Sequence, residues 1–155
     1  MNKTPDEELA ELLTSGSQLQ PSKLNARLRA VWPLLHAPQR KHDGATLVDL
    51  FRQAGYVSDG MAATDSALTV YRGELVAEAE PGISWSAEFQ IARSYAQRYS
   101  TVGHTRVLQA TAPPTAVLAR FNQEAEVVVE PELLDDIKNL GYIHHFKLPM
   151  LGHLG

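Results

Sequence analysis

The chain has 155 residues, of which 44% are hydrophobic and 21% are charged, as is ordinary for one globular domain. Its formal net charge is -4, which argues against a dedicated nucleic-acid binder because such domains usually carry a basic patch. The sequence contains no cysteine, so disulfides and cysteine-based zinc sites are excluded.

Neither a secretory signal nor a membrane span is expected. The first seven residues lack the apolar core that a secretory signal needs. No run approaches the roughly 18 apolar residues that are required to span a bilayer. We therefore expect no membrane partner, no nucleic-acid partner, and a cytoplasmic location in the producing cell or in a target cell.

Helices dominate the predicted elements of the N-terminal part. Thr4 and Glu7 form a capping-box pattern at the start of a helix from about Pro5 to Leu13. A second helix is indicated by apolar residues at helical spacing, and Pro33 predicts that it kinks or ends near Val31. Its apolar stripe consists of Leu24, Leu28, Val31, Trp32 and Leu35.

A third helix follows a basic segment. The segment Arg40-Lys41-His42 is short, and we expect it to be solvated. Helical spacing resumes over residues 47–54, and Gly55 fits the position that follows a helix end. A brief helix or turn is expected over residues 60–67.

Strand patterns begin at Leu68. An acidic loop is expected from Glu74 to Gly82. The whole order indicates an α+β fold, in which a helical region (residues 1–67) packs on a core (residues 68–155) to form one globular unit. The predicted strands cover residues 68–72, 83–86, 105–112, 115–121, 124–130 and 142–148, and the predicted helices of this part cover 87–99 and 133–140.

Two acids stand one residue apart at the mouth of an apolar run. Glu124 and Glu126 precede three valines and Pro131, and β-branched residues of this kind fit a buried strand. Side chains alternate along a strand, so the two carboxylates are expected to share one face. Taken alone, this pattern also fits a solvated strand edge.

Three short motifs follow one another: Tyr71-Arg72-Gly73 at a strand end, Ser84-Trp85-Ser86 ahead of a helix, and Glu124-Ala125-Glu126. Their order and spacing resemble the R-S-E class of mono-ADP-ribosyltransferases, which includes the cholera-toxin-like enzymes and the arginine-modifying transferases. The resemblance covers roughly residues 68–131, under half of the chain. It implies two small packed sheets with NAD bound as co-substrate in the cleft between them. It also implies transfer of ADP-ribose to a protein side chain, with release of nicotinamide.

The resemblance implies a role for each motif residue. Glu126 would be the catalytic acid that binds the ribose hydroxyl, and Ser84 would hold that carboxylate and shape the nicotinamide pocket. Glu124 matches the acid that helps to activate the acceptor in arginine-specific members, so arginine is the expected acceptor. Arg72 would bind phosphate, and Gly73 would let the backbone approach the nicotinamide amide.

The physical chemistry of the residue types agrees with these roles. The guanidinium of Arg72 is a permanently charged fork that suits bidentate phosphate contacts, and Gly73 has no side chain to block a close approach. Cleavage of the glycosidic bond leaves an oxocarbenium-like ribose, which a carboxylate such as Glu126 stabilises, most strongly in a water-poor site.

The sequence departs from the family pattern in two places. Trp85 replaces the middle threonine of the serine motif, and it could fill or cover the nicotinamide pocket or be plain core. A helix is expected to begin at Ala87, where the toxins often have a phosphate-binding loop, and Ser86 is assigned to capping it. Arg93 or Arg98 is expected to supply the missing phosphate contact.

Other functions remain open on the sequence. One alternative is an NAD glycohydrolase that acts as a toxin or defence factor, and another is a non-catalytic binding or inhibitor protein that keeps the fold. The small size also fits a phage-encoded modifier or a bacterial effector. No metal site is expected, because His144 and His145 would point to opposite faces of a strand.

Overall fold

A computed structural model describes residues 2–78 and 81–141 of the chain. Over these residues the protein is mixed α+β, as predicted, with four α-helices and one sheet of seven strands. The predicted strand over residues 142–148 lies outside the described residues, and His144 and His145 lie there too. In the described part, no helix is long and apolar enough to cross a membrane.

The helices begin and end close to the predicted positions. Thr4 Oγ1 accepts from the Glu7 amide at 3.1 Å while Glu7 Oε1 accepts from the Thr4 amide at 2.9 Å, which confirms the capping box. Pro33 ends the second helix at Val31, as expected, and Gly55 has a left-handed φ of 78° after the third. The helices are α1 (Pro5–Ser15), α2 (Pro21–Val31), α3 (Gly44–Ala54) and α4 (Phe89–Tyr99).

The seven strands form one hydrogen-bonded sheet in the order β1-β5-β6-β3-β2-β4-β7, rather than two sheets. Strand β1 pairs with β5 in parallel, and the other neighbours are antiparallel. The joint between β2 and β3 is a single pair, Tyr71 opposite Ser86. The strands are β1 (Val57–Ser58), β2 (Leu68–Leu75), β3 (Ser84–Ser86), β4 (Thr105–Ala112), β5 (Val117–Phe121), β6 (Glu126–Val129) and β7 (Asp135–Asn139).

The predicted helix over residues 133–140 is wrong. A 3-10 turn at Pro131–Leu133 is followed by β7, which pairs with the long strand β4. A free edge of β4 supplies backbone partners that a helix would not use, and such tertiary pairing overrides a short helical pattern. Residues 60–67, expected as a brief helix or a turn, contain no helix and bend at residues 60 and 65–66.

Strand alternation divides the core between the two faces of the sheet. Val128 of β6 packs with the N-terminal helices, in a cluster that includes Leu47, Phe51 and Trp32. Val127 and Val129 face the opposite way, into a second cluster. Because side chains alternate along a strand, the first residue of β6 shares the face of Val128 and is directed toward the N-terminal helices.

Candidate active site

A cavity of about 340 Å³ lies at the narrow joint between β2 and β3. The turn after α2, the helix α4 and the start of β6 contribute the rest of its wall. The six residues that the sequence predicts for an NAD site all line it: Arg72, Gly73, Ser84, Trp85, Glu124 and Glu126.

Glu126 occupies the first position of β6 and receives two hydrogen bonds on one oxygen. The Ser84 hydroxyl donates to Oε2 at 2.6 Å, and the indole N–H of Trp32 donates to the same Oε2 at 3.0 Å. Ser84 reaches it because Ser86 is the register partner of Glu126 and Ser84 lies on the same face two residues earlier. Neither of these two donors binds Oε1, and Glu126 is one of the residues that line the cavity.

The pKa of Glu126 is raised above the ordinary glutamate value. Burial of the carboxyl is the main cause, because removal from water disfavours the charged form. The bonds from Ser84 and Trp32 act in the opposite direction, and the nearby carboxylate of Glu124 adds to the rise. A perturbed acid in a cleft is typical of functional sites.

Arg72 on β2 is tied to the same group of residues. Its Nη1 donates to the carbonyl oxygen of Ser84 at 2.8 Å, and its Nε donates to Glu74 Oε1 at 3.0 Å. Its Nη2 lies 3.5 Å from Glu78 Oε1. The predicted loop start at Glu74 is wrong, since β2 continues to Leu75 and Glu74 is only 3% exposed.

Gly73 has a packing role that was not anticipated. A Cβ at this position would overlap the backbone carbonyl oxygen of Ala92 in α4. Glycine therefore lets α4 lie directly on β2, and the helix in turn forms one wall of the cavity. Gly73 also lines the cavity itself.

Trp85 and Ser86 make hydrogen bonds to the segments that surround the cavity. The indole of Trp85 is buried on the opposite face of the sheet, with Val70 and Val127, and donates to the Gly82 carbonyl at 2.9 Å. Ser86 does not cap α4 directly. The helix begins at Phe89, and Ser86 Oγ accepts from the Glu88 amide at 3.0 Å and donates to the Glu124 carbonyl at 2.9 Å.

Glu124 is not on a strand, so the expectation of shared strand parity with Glu126 is wrong. It lies in a 3-10 turn with φ 59°, and Ala125 follows with φ 47°. Both are left-handed values that cost energy for residues other than glycine. The hydroxyl of Tyr95 donates to the exposed carboxylate of Glu124, which lines the cavity through this turn.

One of the two arginines expected to contact phosphate lies at the cavity. Arg98 lines it, with its guanidinium 4.7 Å from the centre of the Tyr95 ring, whereas Arg93 is not one of the lining residues. Arg40 is exposed, as expected for the basic segment, and it also lines the cavity, with its guanidinium carbon 5.3 Å from the centre of the Tyr99 ring. Within residues 2–78 and 81–141, no group of three potential metal ligands comes together.

Sequence reasoning also missed Trp32 as a site residue. Its position on the apolar stripe of α2 indicated core, and it is core, at 3% exposed. Its single polar atom nevertheless reaches Glu126, which is 94 residues away in sequence. The local signal that could have suggested this is Pro33, which ends the helix and turns the backbone at Trp32.

Comparison with protein-family models, with curated proteins and with solved structures finds no match for this chain.

Proposed function

We propose that the protein is a mono-ADP-ribosyltransferase that transfers ADP-ribose from NAD to a protein side chain and releases nicotinamide. The observation that carries the proposal is the meeting of Arg72, Ser84 and Glu126. These residues come from three separate stretches, and two bonds of 2.8 and 2.6 Å join them at one cavity. The resemblance to the R-S-E class requires this arrangement.

The charges around the cavity suit the two ends of NAD. Arg72, Arg40 and Arg98 supply positive charge for the diphosphate. Glu126 and Glu124 supply negative charge for the ribose and for a cationic acceptor. The narrow joint of the sheet at the cavity also supports an ADP-ribosyltransferase-like fold, since the strands on either side are joined by one residue pair.

The reaction would use the two acids differently. The bond between the ribose carbon and the nicotinamide nitrogen breaks, and its electron pair leaves with nicotinamide. Glu126 stabilises the positive charge that develops on the ribose, through the oxygen not bound by Ser84 and Trp32. The acceptor nitrogen then bonds to the ribose carbon and gives its proton to Glu124.

Arginine is the acceptor that the E-X-E pattern favours. A guanidinium would be drawn to Glu124, an exposed carboxylate at the rim that stands beside Glu126. For a guanidine nitrogen to attack, a nearby base has to take its proton. Glu124 is within the cavity lining and fits that role.

A second candidate is hydrolysis of NAD without transfer. The hydrogen bond from Tyr95 to Glu124 favours it, because a carboxylate that accepts from tyrosine is less available to an incoming amine. In that case water would enter the site in place of the acceptor. The same residues would still cleave NAD.

Labelled NAD distinguishes the candidates. The protein is incubated with NAD carrying label in its ADP-ribose part and with a cell lysate, and protein-bound and free label are counted. We expect protein-bound label on arginine, located by mass spectrometry. Free ADP-ribose without bound label would support the glycohydrolase, modification of another residue type would overturn the role of Glu124, and NAD binding without cleavage would support a binding protein.

A further inference from the structure

We propose that Trp32 is a positioning residue for Glu126, so that the N-terminal helical region is part of the reaction centre rather than an accessory to it. The hydrogen bond from Trp32 to Glu126 is observed in the structure. Its effect on turnover rests on the proposed function.

Trp32 is held firmly by the element that carries it. Pro33 ends α2 at Val31, and the following 3-10 turn, Trp32–Leu34, directs the indole inward. The ring packs edge-to-face on Phe51 of α3, with the ring centres 4.8 Å apart and an interplanar angle of 79°. Because the indole is buried and packs on Phe51, it has little freedom to change its orientation.

The indole N–H has a specific acceptor. An indole nitrogen is a donor only, and a buried donor without a partner is costly. Glu126 shares its sheet face with Val128, which lies in the same cluster as Trp32. The polar atom of the indole thus meets a carboxylate among apolar neighbours, at 3.0 Å.

Two donors on one oxygen fix the orientation of the carboxylate. Ser84 and Trp32 both bind Oε2, which restricts rotation of the carboxylate and leaves Oε1 without a bond from either residue. Hydrogen bonds to a charged acceptor are roughly twice as strong as neutral ones, so the indole favours the ionised acid. Trp32 thereby offsets part of the effect of burial on Glu126.

The other ionisable groups around the cavity come from every element that surrounds Glu126. The segment after α2, the strand β2 and the segment after β2 contribute some, and α4 and the turn before β6 contribute others. They are His36, Arg40, Tyr71, Arg72, Glu78, Tyr95, Arg98, Tyr99 and Glu124. Of these, Glu124 is the one whose charge acts on Glu126 to raise its pKa.

The test is Trp32→Phe, which keeps an aromatic ring on Phe51 and removes the N–H. The carboxyl carbon of Glu126 is followed by NMR as a function of pH. We expect a roughly tenfold smaller ionisation constant for Glu126 in the variant. The pH profile of nicotinamide release is expected to move upward with it, and activity to recover at higher pH. Leu47→Ala, in the same buried cluster, is the control for lost packing and should lower the melting temperature without moving the ionisation constant.

The outcomes separate this inference from the proposed function. A shifted ionisation constant with no NAD turnover in either protein would leave the positioning role standing and reject the transferase. An unshifted constant in a folded variant would overturn the inference.

The wild-type protein provides a second measurement in case Trp32→Phe does not fold. The chain has two tryptophans, so its indole N–H signals are easily separated. We expect the Trp32 signal to titrate with pH and to stop doing so in Glu126→Gln, while the Trp85 signal stays constant because its acceptor is a backbone carbonyl. A Trp32 signal that does not titrate would contradict the proposal.

Discussion

At the scale of single residues, the burial of Glu126 destabilises the fold where the acid is ionised, and the same acid has the proposed catalytic role. Its carboxyl is taken partly out of water, which raises its pKa, and the two donors on Oε2 only offset this effect. A sequence that served stability alone would place an uncharged acceptor here. The retained acid supports a chemical role, since strain and perturbed groups persist where function needs them.

The raised pKa of Glu126 predicts how the free energy of unfolding depends on pH. A carboxyl whose pKa is raised on folding destabilises the fold only where it is ionised. The loss therefore begins as pH rises through the unfolded value, about 4.3, and is complete above the folded value. Glutamine can accept both hydrogen bonds without charge. We expect Glu126→Gln to match wild type near pH 4 and to melt about 2–4 °C higher at pH 7.5, as measured by calorimetry. A variant that melts lower at pH 7.5 would contradict this account.

Tyr95 provides a second residue-scale prediction. Its hydroxyl donates to Glu124, and removing it in Tyr95→Phe frees that carboxylate for an acceptor. We expect the ratio of protein-bound to free ADP-ribose to rise about two- to fivefold, the range of a surface interaction of up to about 1 kcal/mol. Ser94→Ala, at an exposed neighbouring position of α4, is the matched control. An unchanged ratio would show that the tyrosine does not restrain the acid.

The part of the site that the sequence predicts is the part that follows from strand alternation. Strand alternation is sufficient to bring Ser84 beneath Glu126 once the two strands pair. It does not predict the position of Glu124, which lies in a left-handed turn and accepts hydrogen bonds from the side chains of Ser86 and Tyr95. Nor does it predict Trp32, because that contact depends on how a distant helical region packs on the sheet.

At the scale of elements, the close packing of α4 on β2 brings the helix into the wall of the cavity. The contact is possible because Gly73 has no side chain where the backbone of Ala92 lies. An added methyl group there meets backbone atoms, which cannot move aside as a flexible side chain would. The helix would have to shift as a whole.

The contact between α4 and β2 predicts that an alanine substitution is far more destabilising at Gly73 than at Gly103. We expect Gly73→Ala to lower the free energy of unfolding by about 3 kcal/mol or more, as measured by urea denaturation. Gly103→Ala is the control, because a Cβ at Gly103 would lie 3.5 Å from Leu75 Cδ2, an ordinary contact. Equal effects of the two substitutions would mean that helix packing is not what requires Gly73.

The segment after β2 bears on ligand binding. Glu78 lies 3.5 Å from Arg72 and 4.0 Å from Arg40, two of the cations proposed for the diphosphate. Its carboxylate would compete with the diphosphate for these two arginines. We expect Glu78→Gln to tighten NAD binding about two- to fivefold, as measured by calorimetric titration. Weaker binding by this variant would show that Glu78 supports the site instead of competing for it.

The strand β7 shows why one element was predicted incorrectly. Residues 135–139 are exposed along their whole length, so no buried periodicity distinguishes a strand from a helix there. Their conformation follows from the edge of β4, which no local pattern reveals. The helices α1 to α3 were predictable because caps, prolines and apolar spacing all act within one element.

At the scale of the whole molecule, the two parts of the chain meet at the cavity. The N-terminal helices cover one face of the sheet, the turns between α2 and α3 supply Trp32 and Arg40, and the strands supply Arg72, Ser84 and Glu126. The prediction of a helical region packed beside an NAD-binding core therefore understates the contribution of that region. A ligand in the cavity would contact both parts.

The central claim is that Glu126 is the catalytic acid of NAD cleavage, and Glu126→Gln tests it most directly. The rate of nicotinamide release from NAD is compared for wild type, Glu126→Gln and Glu132→Gln, an exposed acid of the same type. We predict a loss of about 100-fold or more in Glu126→Gln, with a melting temperature no lower than wild type, and no change in Glu132→Gln. Nicotinamide release by Glu126→Gln at the wild-type rate would contradict the account.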